Sequence, residues 1–144
     1  MRDYCIYLCG GMEKFGKDNF MSSNNWRLYC KNILENFEIN KTITVINPND
    51  YFNLNEAPKY KSAREVMEFD LHKVRCSDLI IVNFNDKYSL GSMAELAIAY
   101  ERRIPIIGLD MDRQDLHPWQ KEMATRIFDD INEMLEYILN FYLT

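Results

Sequence analysis

The sequence predicts an α/β fold in which a parallel sheet of about five strands is covered by helices on both faces. Short apolar runs rich in β-favouring residues alternate with segments whose apolar residues recur at helical spacing. The run LIIV at Leu79–Val82 is continuously apolar, which is typical of a central parallel strand buried on both faces. A chain of 144 residues suits one domain, which we predict to span 1–144.

The first half of the chain supplies two predicted strands and two predicted helices. YCIYLC at Tyr4–Cys9 indicates a strand that ends in a glycine turn, and TITVIN at Thr42–Asn47 indicates a second strand. Between them, 24–37 has apolar residues at helical spacing. Ser62 and Glu65 form the S-x-x-E pattern of a capping box, so a second helix is expected to follow Ser62.

The second half continues the alternation. Its predicted elements are a strand at Leu79–Phe84, a helix from Ser92 to about Arg102, a strand at Ile104–Leu109, a short helix in HPWQKEMA, a small edge strand at Arg126–Phe128, and a final helix opened by Asp130 and Glu133. For a sheet of this size, the strand order 2-1-3-4-5 is expected.

Composition excludes several classes of function. The net charge of −5 and the pI near 5.1 argue against a nucleic-acid polymer as partner, because phosphate backbones select clustered Lys and Arg. No apolar run approaches the ~20 residues of a membrane span, and no secretory signal is visible, so we expect a cytoplasmic protein without a membrane partner. The cysteines have neither zinc-site spacing nor disulfide density and are interpreted as buried thiols: Cys5, Cys9, Cys30 and Cys76.

Topology and composition indicate one ligand crevice. In a sheet ordered 2-1-3-4-5, strand order reverses between the loops that follow the first and third strands, and ligands bind there. Gly10 and Gly11 in the first loop would let the backbone approach a ligand closely, although tight turns alone would also explain them. The amides of Gly91 and Ser92 begin the following helix, and a helix N-terminus favours an anion.

Glu95 has two interpretations. With Ser92 it fits S-x-x-E, in which the glutamate only caps the first turn of its helix. It would also line the crevice, where the helix N-terminus would keep it ionised as a nucleophile. Asp70, on the preceding predicted helix, is the candidate second acid, although a solvated helix position would equally explain it. Two facing carboxyl groups would resemble the pair of a retaining glycosidase.

Three segments together resemble a known family. IYLCGGM, Asp70 followed by SDLIIVNF, and SLGSMAELAIA followed by RIPIIG are similar to the nucleoside 2-deoxyribosyltransferases and their relatives, the 2'-deoxynucleoside 5'-monophosphate N-glycosidases. The resemblance implies a flavodoxin-like (Rossmann-like) sheet, a homodimer or higher homo-oligomer, a small nucleoside or nucleotide substrate, and no metal or organic cofactor.

The resemblance also implies roles for individual residues. Glu95 would be the nucleophile that forms a covalent deoxyribosyl intermediate, and Asp70 would donate and accept the proton of the nucleobase. Tyr7 would orient the nucleophile, although a core aromatic residue is the alternative. Gly10, Gly11 and Met12 would form the turn that closes over the sugar or its 5' substituent.

Ser89 departs from the transferase pattern. The transferases generally carry an aspartate at this position, whereas the monophosphate hydrolases carry serine, as this chain does. A neutral hydroxyl beside helix-terminal amides tolerates a phosphate that a carboxylate would repel. The alternative is a loop serine that bonds its own backbone. The transferase segment that lends a residue to a neighbouring subunit's site is not recognisable; His117, Gln120 and Arg126 are conceivable substitutes.

The sequence therefore predicts an enzyme that cleaves the N-glycosidic bond of 2'-deoxynucleosides or their 5'-monophosphates through Glu95, with transfer to a nucleobase or to water. Two alternatives stay open. One is cleavage of another ribosyl bond, such as that of NAD. The other is a non-catalytic nucleotide-binding or sensing module, in which Glu95 only caps its helix.

Overall fold

The computed structural model describes residues 3–11, 20–39, 41–51 and 62–144. The strands of this part of the chain are β1 (Tyr4–Gly10), β2 (Ile43–Ile46), β3 (Leu79–Asn83), β4 (Ile106–Leu109) and β5 (Arg126–Phe128). The helices are α1 (Phe20–Glu35), α2 (Ala63–Arg75), α3 (Leu90–Glu101), α4 (Pro118–Met123) and α5 (Ile131–Phe141). Single 3₁₀ turns at Pro48–Asp50 and Phe84–Asp86 follow β2 and β3.

The described strands form one parallel sheet in the order β2-β1-β3-β4-β5, which confirms the predicted fold class and strand order. In the centre, Tyr7 pairs with Ile80 and Gly10 pairs with Asn83. Every residue of β3 is buried, as its continuously apolar sequence predicted. The carboxyl ends of β1 and β3 therefore lie side by side, where strand order reverses.

Helices cover both faces of this sheet. Ile6 and Leu8 of β1 point into an apolar cluster that includes Leu34 of α1 and Ile138 of α5. The alternate residues of β1 point to the opposite face, where Tyr7 and Cys9 lie in a cluster with residues of α2 and α3. Because successive strand residues face opposite sides, this alternation decides which side chains of β1 can reach α3.

Several element boundaries differ from the sequence prediction. Helix α1 begins at Phe20 rather than Asn24, and α3 begins at Leu90 rather than Ser92. Strand β4 begins at Ile106 rather than Ile104, because the Ile104 amide donates to the Ala99 carbonyl in the turn after α3 and Pro105 has no amide hydrogen. The predicted edge strand β5 and the Asp130 cap of α5 are confirmed; the Asp130 side chain accepts hydrogen bonds from the first-turn amides of α5.

At the opposite edge of the sheet, where the strands begin, Asp78 makes hydrogen bonds to β1. Its Oδ2 accepts a hydrogen bond from the Cys5 amide at 2.9 Å, and its own amide donates to the Cys5 carbonyl at 2.7 Å. This residue therefore fastens the turn before β3 to β1. Cys9 and Cys30 are buried as predicted, whereas Cys5 is half-buried and Cys76 is exposed, so the prediction of buried thiols was wrong for Cys76.

Within the described ranges, no helix has the length and apolar character that crossing a membrane requires.

Candidate active site

The loops that follow β1 and β3 meet at the carboxyl edge of the sheet. The Asn85 side chain joins them, because its Oδ1 accepts hydrogen bonds from the amides of Gly11 and Asp86, both at 3.0 Å. Asn85 lies in the 3₁₀ turn that ends β3, and Gly11 directly follows β1. The two loops that the sequence singled out are thus neighbours.

Protein neighbours explain the two glycines of the first loop. A Cβ atom on Gly10 would lie 2.8 Å from Cζ2 of Trp26, and one on Gly11 would lie 2.7 Å from Cβ of Asp86. Both distances are shorter than a carbon–carbon contact allows, so close packing alone requires glycine here. Met12, the third predicted residue of this turn, lies outside the described residues.

Ser89, not Ser92, caps helix α3. Its Oγ accepts a hydrogen bond from the Ser92 amide at 3.3 Å and lies 3.0 Å from the Ser92 Oγ. The predicted Ser92–Glu95 capping box is therefore wrong, because the Ser92 amide already has a partner and Glu95 lies in the second turn. Sequence reasoning missed that Ser89 also opens the helix; its side chain bonds its own segment, as the alternative interpretation held.

Gly91 stands at an open position. A Cβ atom there would meet nothing within 4 Å, in contrast to Gly10 and Gly11. The first hydrogen bond of α3 runs from the Met93 amide to the Ser89 carbonyl at 3.1 Å. The amides of Leu90 and Gly91 therefore precede the intrahelical ladder and point out of the helix N-terminus.

Three predicted catalytic side chains come together on the α2 and α3 face of the sheet. Tyr7 of β1 is 0% exposed, and Asp70 of α2 is 9% exposed. The Tyr7 hydroxyl, Asp70 Oδ1 and Glu95 Oε2 are buried, and none has a hydrogen-bond partner among the described residues. Buried polar atoms without partners are uncommon in folded proteins, and a catalytic role is one reason for them.

These side chains affect one another's ionisation. The Glu95 carboxyl raises the pKa of Tyr7 in addition to the larger effect of burial. Tyr7 in turn lowers the pKa of Glu95 as a polar neighbour, although no hydrogen bond of ordinary length and angle joins the two. Asp70 raises the pKa of Glu95. Catalytic hydrogen bonds often become well aligned only when substrate is bound.

Burial dominates the ionisation of both acids. It raises the pKa of Glu95 to about 8, against the opposing effects of Tyr7 and Arg27. Burial also raises the pKa of Asp70 to about 7, with Arg27 opposing. The expectation that the helix N-terminus keeps Glu95 ionised is therefore wrong, because Glu95 lies beyond the first turn, where that field has weakened, and desolvation prevails.

The two acids can divide two chemical tasks. Since both pKa values lie near neutrality, the pair holds a proton in the pH range where an enzyme works. One carboxyl group can then donate that proton while the other, once ionised, attacks as a nucleophile. An ionised carboxylate without hydrogen-bond donors is also poorly stabilised, which favours attack on an electrophilic carbon.

Arg27 is a charged residue near this site that the sequence analysis missed. It lies on α1, is 1% exposed, and donates a hydrogen bond from Nη2 to the Gly10 carbonyl at 2.8 Å. A signal was present in the sequence. Arg27 precedes Cys30 and Leu34 by one and two helical turns, so it lies on the same apolar stripe.

Three residues near the C-terminus were conceivable substitutes for the transferase segment that lends a residue to a neighbouring subunit. In this structure all three make local contacts. His117 caps α4 by accepting a hydrogen bond from the Trp119 amide, and Gln120 donates to the Lys87 carbonyl at 2.9 Å. Arg126 lies over the rings of Phe128 and Tyr137. Their contribution to a neighbouring subunit's site stays a prediction.

No group of three or more His, Cys, Asp or Glu side chains in the described ranges is arranged to hold a metal ion.

Several known proteins share this architecture. A conserved protein from Enterococcus faecalis V583 superposes with a TM-score of 0.77 at 18% identity, covering 95% of this chain and 98% of its own. A 2-deoxyribosyltransferase from Bacillus psychrosaccharolyticus gives a TM-score of 0.71 at 18% identity, covering 92% and 91%. The CMP N-glycosidase BcmB of Clostridium botulinum gives 0.59 at 14% identity, covering 95% and 98%. At these identities the likeness establishes the fold.

A search among curated protein sequences gave no match.

A sequence model of a protein family decides the assignment. The model described as nucleoside 2-deoxyribosyltransferase matches residues 6–139, which span β1 to α5. This match confirms the resemblance inferred from the three segments and indicates an enzyme that acts on N-glycosyl bonds. The chain belongs to the nucleoside 2-deoxyribosyltransferase family.

Proposed function

We propose that this protein cleaves the N-glycosidic bond of 2'-deoxynucleoside 5'-monophosphates, with Glu95 as nucleophile and Asp70 as general acid and base. One observation carries the proposal. Glu95 and Asp70 present buried oxygen atoms without hydrogen-bond partners among the described residues, beside Tyr7 and at the strand-order reversal. A pair of this kind suits a reaction in which one carboxyl group attacks while the other manages a proton.

In the reactive form of the pair, Glu95 is ionised and Asp70 holds the proton; because the pKa of Glu95 is the higher, this is the less populated form in the free protein. In the first step, the Glu95 carboxylate attacks the anomeric carbon of the deoxyribose, and the bond from that carbon to the nucleobase nitrogen breaks. The bonding electrons leave with the base, and the Asp70 carboxyl donates its proton to the base as it departs. Tyr7 orients the Glu95 carboxylate. The product of this step is an ester between Glu95 and the sugar.

In the second step, a water molecule attacks the same carbon and Asp70, now ionised, accepts a proton from it. The ester bond breaks, Glu95 leaves as a carboxylate, and deoxyribose 5-phosphate is released. If a second nucleobase attacks instead of water, the reaction is a transfer. The same residues serve both outcomes, so the acceptor must be identified by experiment.

The N-terminus of α3 supports a 5'-phosphate on the substrate. The amides of Leu90 and Gly91 precede the helical hydrogen-bond ladder, and Gly91 has open space where a side chain would stand. Such amides bind an anion together with the helix dipole. The Ser89 cap is neutral, whereas a carboxylate in its place would repel the phosphate.

A non-catalytic sensing module is the rival from another class. That interpretation assigned Glu95 a capping role, and Ser89 fills this role instead. Cleavage of another ribosyl bond, such as that of NAD, would use the same carboxyl pair. We also propose, from the family resemblance, a cytoplasmic enzyme that works as a homodimer or larger homo-oligomer.

A substrate panel tests the proposal. The protein is incubated with deoxynucleosides, their 5'-monophosphates and NAD, with and without a free acceptor base, and base release or exchange is followed by chromatography. We expect release from monophosphates without an acceptor. Exchange that requires an acceptor would identify a transferase, cleavage of NAD would identify the other ribosyl activity, and binding without any turnover would favour the sensing module.

Glu95→Gln tests the nucleophile, with Glu101→Gln as the matched control on the exposed face of the same helix. We expect Glu95→Gln to lose at least about a thousandfold in rate, because an amide cannot form the ester. The control should retain the rate of the native protein. Full activity in Glu95→Gln would refute the assignment.

Ser89→Asp tests the phosphate separately from the chemistry. Aspartate is also a good helix cap, so the variant should fold. Its charge should lower kcat/KM for monophosphates by about tenfold or more while deoxynucleoside cleavage changes little. Equal effects on both substrates would argue against a phosphate at this helix end.

A further inference from the structure

Arg27 places a positive charge inside the protein at the end of β1. Its side chain is 1% exposed, and α1 carries it on the helix face that packs against the sheet. An arginine stays protonated under all ordinary conditions, so this burial removes a full charge from water. Such a charge is costly unless neighbouring groups compensate it.

The end of β1 is shaped to receive the guanidinium. Nη2 donates to the Gly10 carbonyl at 2.8 Å, and a Cβ atom on Gly10 would lie only 3.2 Å from the same nitrogen. The Trp26 ring lies 4.8 Å from the Arg27 guanidinium carbon. Because Gly10 has no side chain, the guanidinium of Arg27 fits into the space beside it.

The acids of the site lie across β1 from this charge. Arg27 packs on the face of Ile6 and Leu8, whereas Tyr7 and Cys9 point to the face of α2 and α3. The guanidinium lowers the pKa of both Asp70 and Glu95 against the effect of burial. Among the residues that the structure describes, the titratable groups coupled to it include Tyr7 and Cys9 on β1, Cys30 on α1, Asp70 on α2 and Glu95 on α3.

We propose that Arg27 is a positioning residue of the active site: from behind β1 it fixes the Gly10 carbonyl and places a positive charge at the end of the strand, opposite Glu95 and Asp70. This inference rests on the proposed function. It assigns to α1 a role in catalysis that needs no contact between Arg27 and substrate. The charge of Arg27 acts on the two acids across the buried end of β1, where water screens charges only weakly.

Two substitutions separate the charge from the packing. Arg27→Gln keeps an N–H donor of shorter reach and removes the charge, whereas Arg27→Lys keeps the charge. In Arg27→Gln, we expect both limbs of the pH profile of kcat/KM to move to higher pH by about one unit, because the positive charge that favours the ionised form of both acids has been lost. The rate near neutral pH should fall about tenfold. Arg27→Lys should restore the native profile.

Arg75→Gln is the matched control, since Arg75 is exposed at the end of α2 and on the opposite edge of the sheet from the site. It removes the same charge and should leave the profile unchanged. Folding of each variant is checked by circular dichroism. If Arg27→Gln and Arg27→Lys both keep the native profile, or both only lose stability, the proposal is overturned.

A titration without substrate separates this proposal from the proposed function. The carboxyl carbons of Asp70 and Glu95 are followed by NMR against pH in the free protein. Arg27→Gln should raise the apparent pKa values of the pair by about one unit even if no substrate is ever cleaved. Unchanged titration would overturn the role of Arg27. If Arg27→Gln does not fold, Gly10→Ala replaces it, because the added Cβ presses on the guanidinium and should shift the titration in the same direction.

Discussion

Glu95 and Asp70 are acids whose burial works against the stability of the protein near neutral pH. The pKa of Glu95 is about 8 in the folded chain, against a usual value of 4.5. The folded state therefore binds the proton more tightly than the unfolded chain does. The resulting stabilisation is fully present below the unfolded pKa and is lost as the pH rises through the folded pKa.

Glu95→Gln should therefore make the protein more stable while abolishing its activity. The free energy of unfolding should rise by about 4 kcal/mol near pH 8, because glutamine never ionises, and by much less near pH 5, where the native glutamate is protonated. Urea unfolding at both pH values measures the difference. The exposed Glu101→Gln should show no such dependence, and a Glu95→Gln protein that is less stable at the higher pH would contradict the burial described here.

At the scale of single residues, the sequence predicted which acids lie at the crevice, but it did not predict their ionisation or the charged residue behind them. Glu95 and Asp70 were predicted together because strand order determines where the crevice lies, whereas Tyr7 was predicted from the family resemblance. Their ionisation was predicted wrongly, since the sequence shows the nearby helix end but not the depth of burial. Arg27 was missed because an arginine on an apolar stripe is ordinarily expected to extend its charge to water.

At the scale of elements, the start of α3 decides how the crevice is built. Two serines, Ser89 and Ser92, stand in the same segment, and each is followed three residues later by a polar residue. The chain caps the helix at the earlier one, so Glu95 moves from the first turn to the second. Local sequence alone does not decide which serine caps the helix. The choice depends on the position of the chain after β3 and its 3₁₀ turn.

The two loops should respond in opposite ways to the same substitution. Gly11→Ala should lower the free energy of unfolding by about 1–3 kcal/mol, because its Cβ would overlap Cβ of Asp86 at 2.7 Å. Gly91→Ala should raise it by about 0.5 kcal/mol, since the position is helical and open. Denaturant unfolding of both variants measures these changes. A destabilised Gly91→Ala would show that the N-terminus of α3 is more crowded than described.

At the scale of the whole molecule, stability should be greatest in the middle of the sheet. Strand β3 is buried along its whole length and pairs with β1 and β4, whereas β5 is short and pairs with β4 alone among the described strands. We expect amide hydrogens of Ile80–Val82 to exchange at least about 100-fold more slowly than those of Arg126–Phe128. Native-state hydrogen exchange measures this ratio. Equal rates would mean that the sheet opens as one unit.

The architecture as a whole could be predicted from sequence because several independent patterns agreed. The apolar run of β3 marked the centre, the alternation of strands and helices required a parallel sheet, and caps such as Ser62 and Asp130 marked helix starts. Element ends were less predictable. The start of β4 depends on the turn after α3, whose hydrogen bonds occupy Arg103 and Ile104 before the strand begins.

The unpartnered oxygen atoms at the end of the sheet also bear on how such a chain evolves. A descendant that no longer needed the chemistry could replace Glu95 and Asp70 by amides or apolar residues and gain stability, without disturbing the strand order or the helix caps. Selection for a folded protein alone would therefore erode both acids. Under the proposed mechanism, related chains of this fold that retain both acids would be working enzymes, and chains that have lost them would have kept only the scaffold.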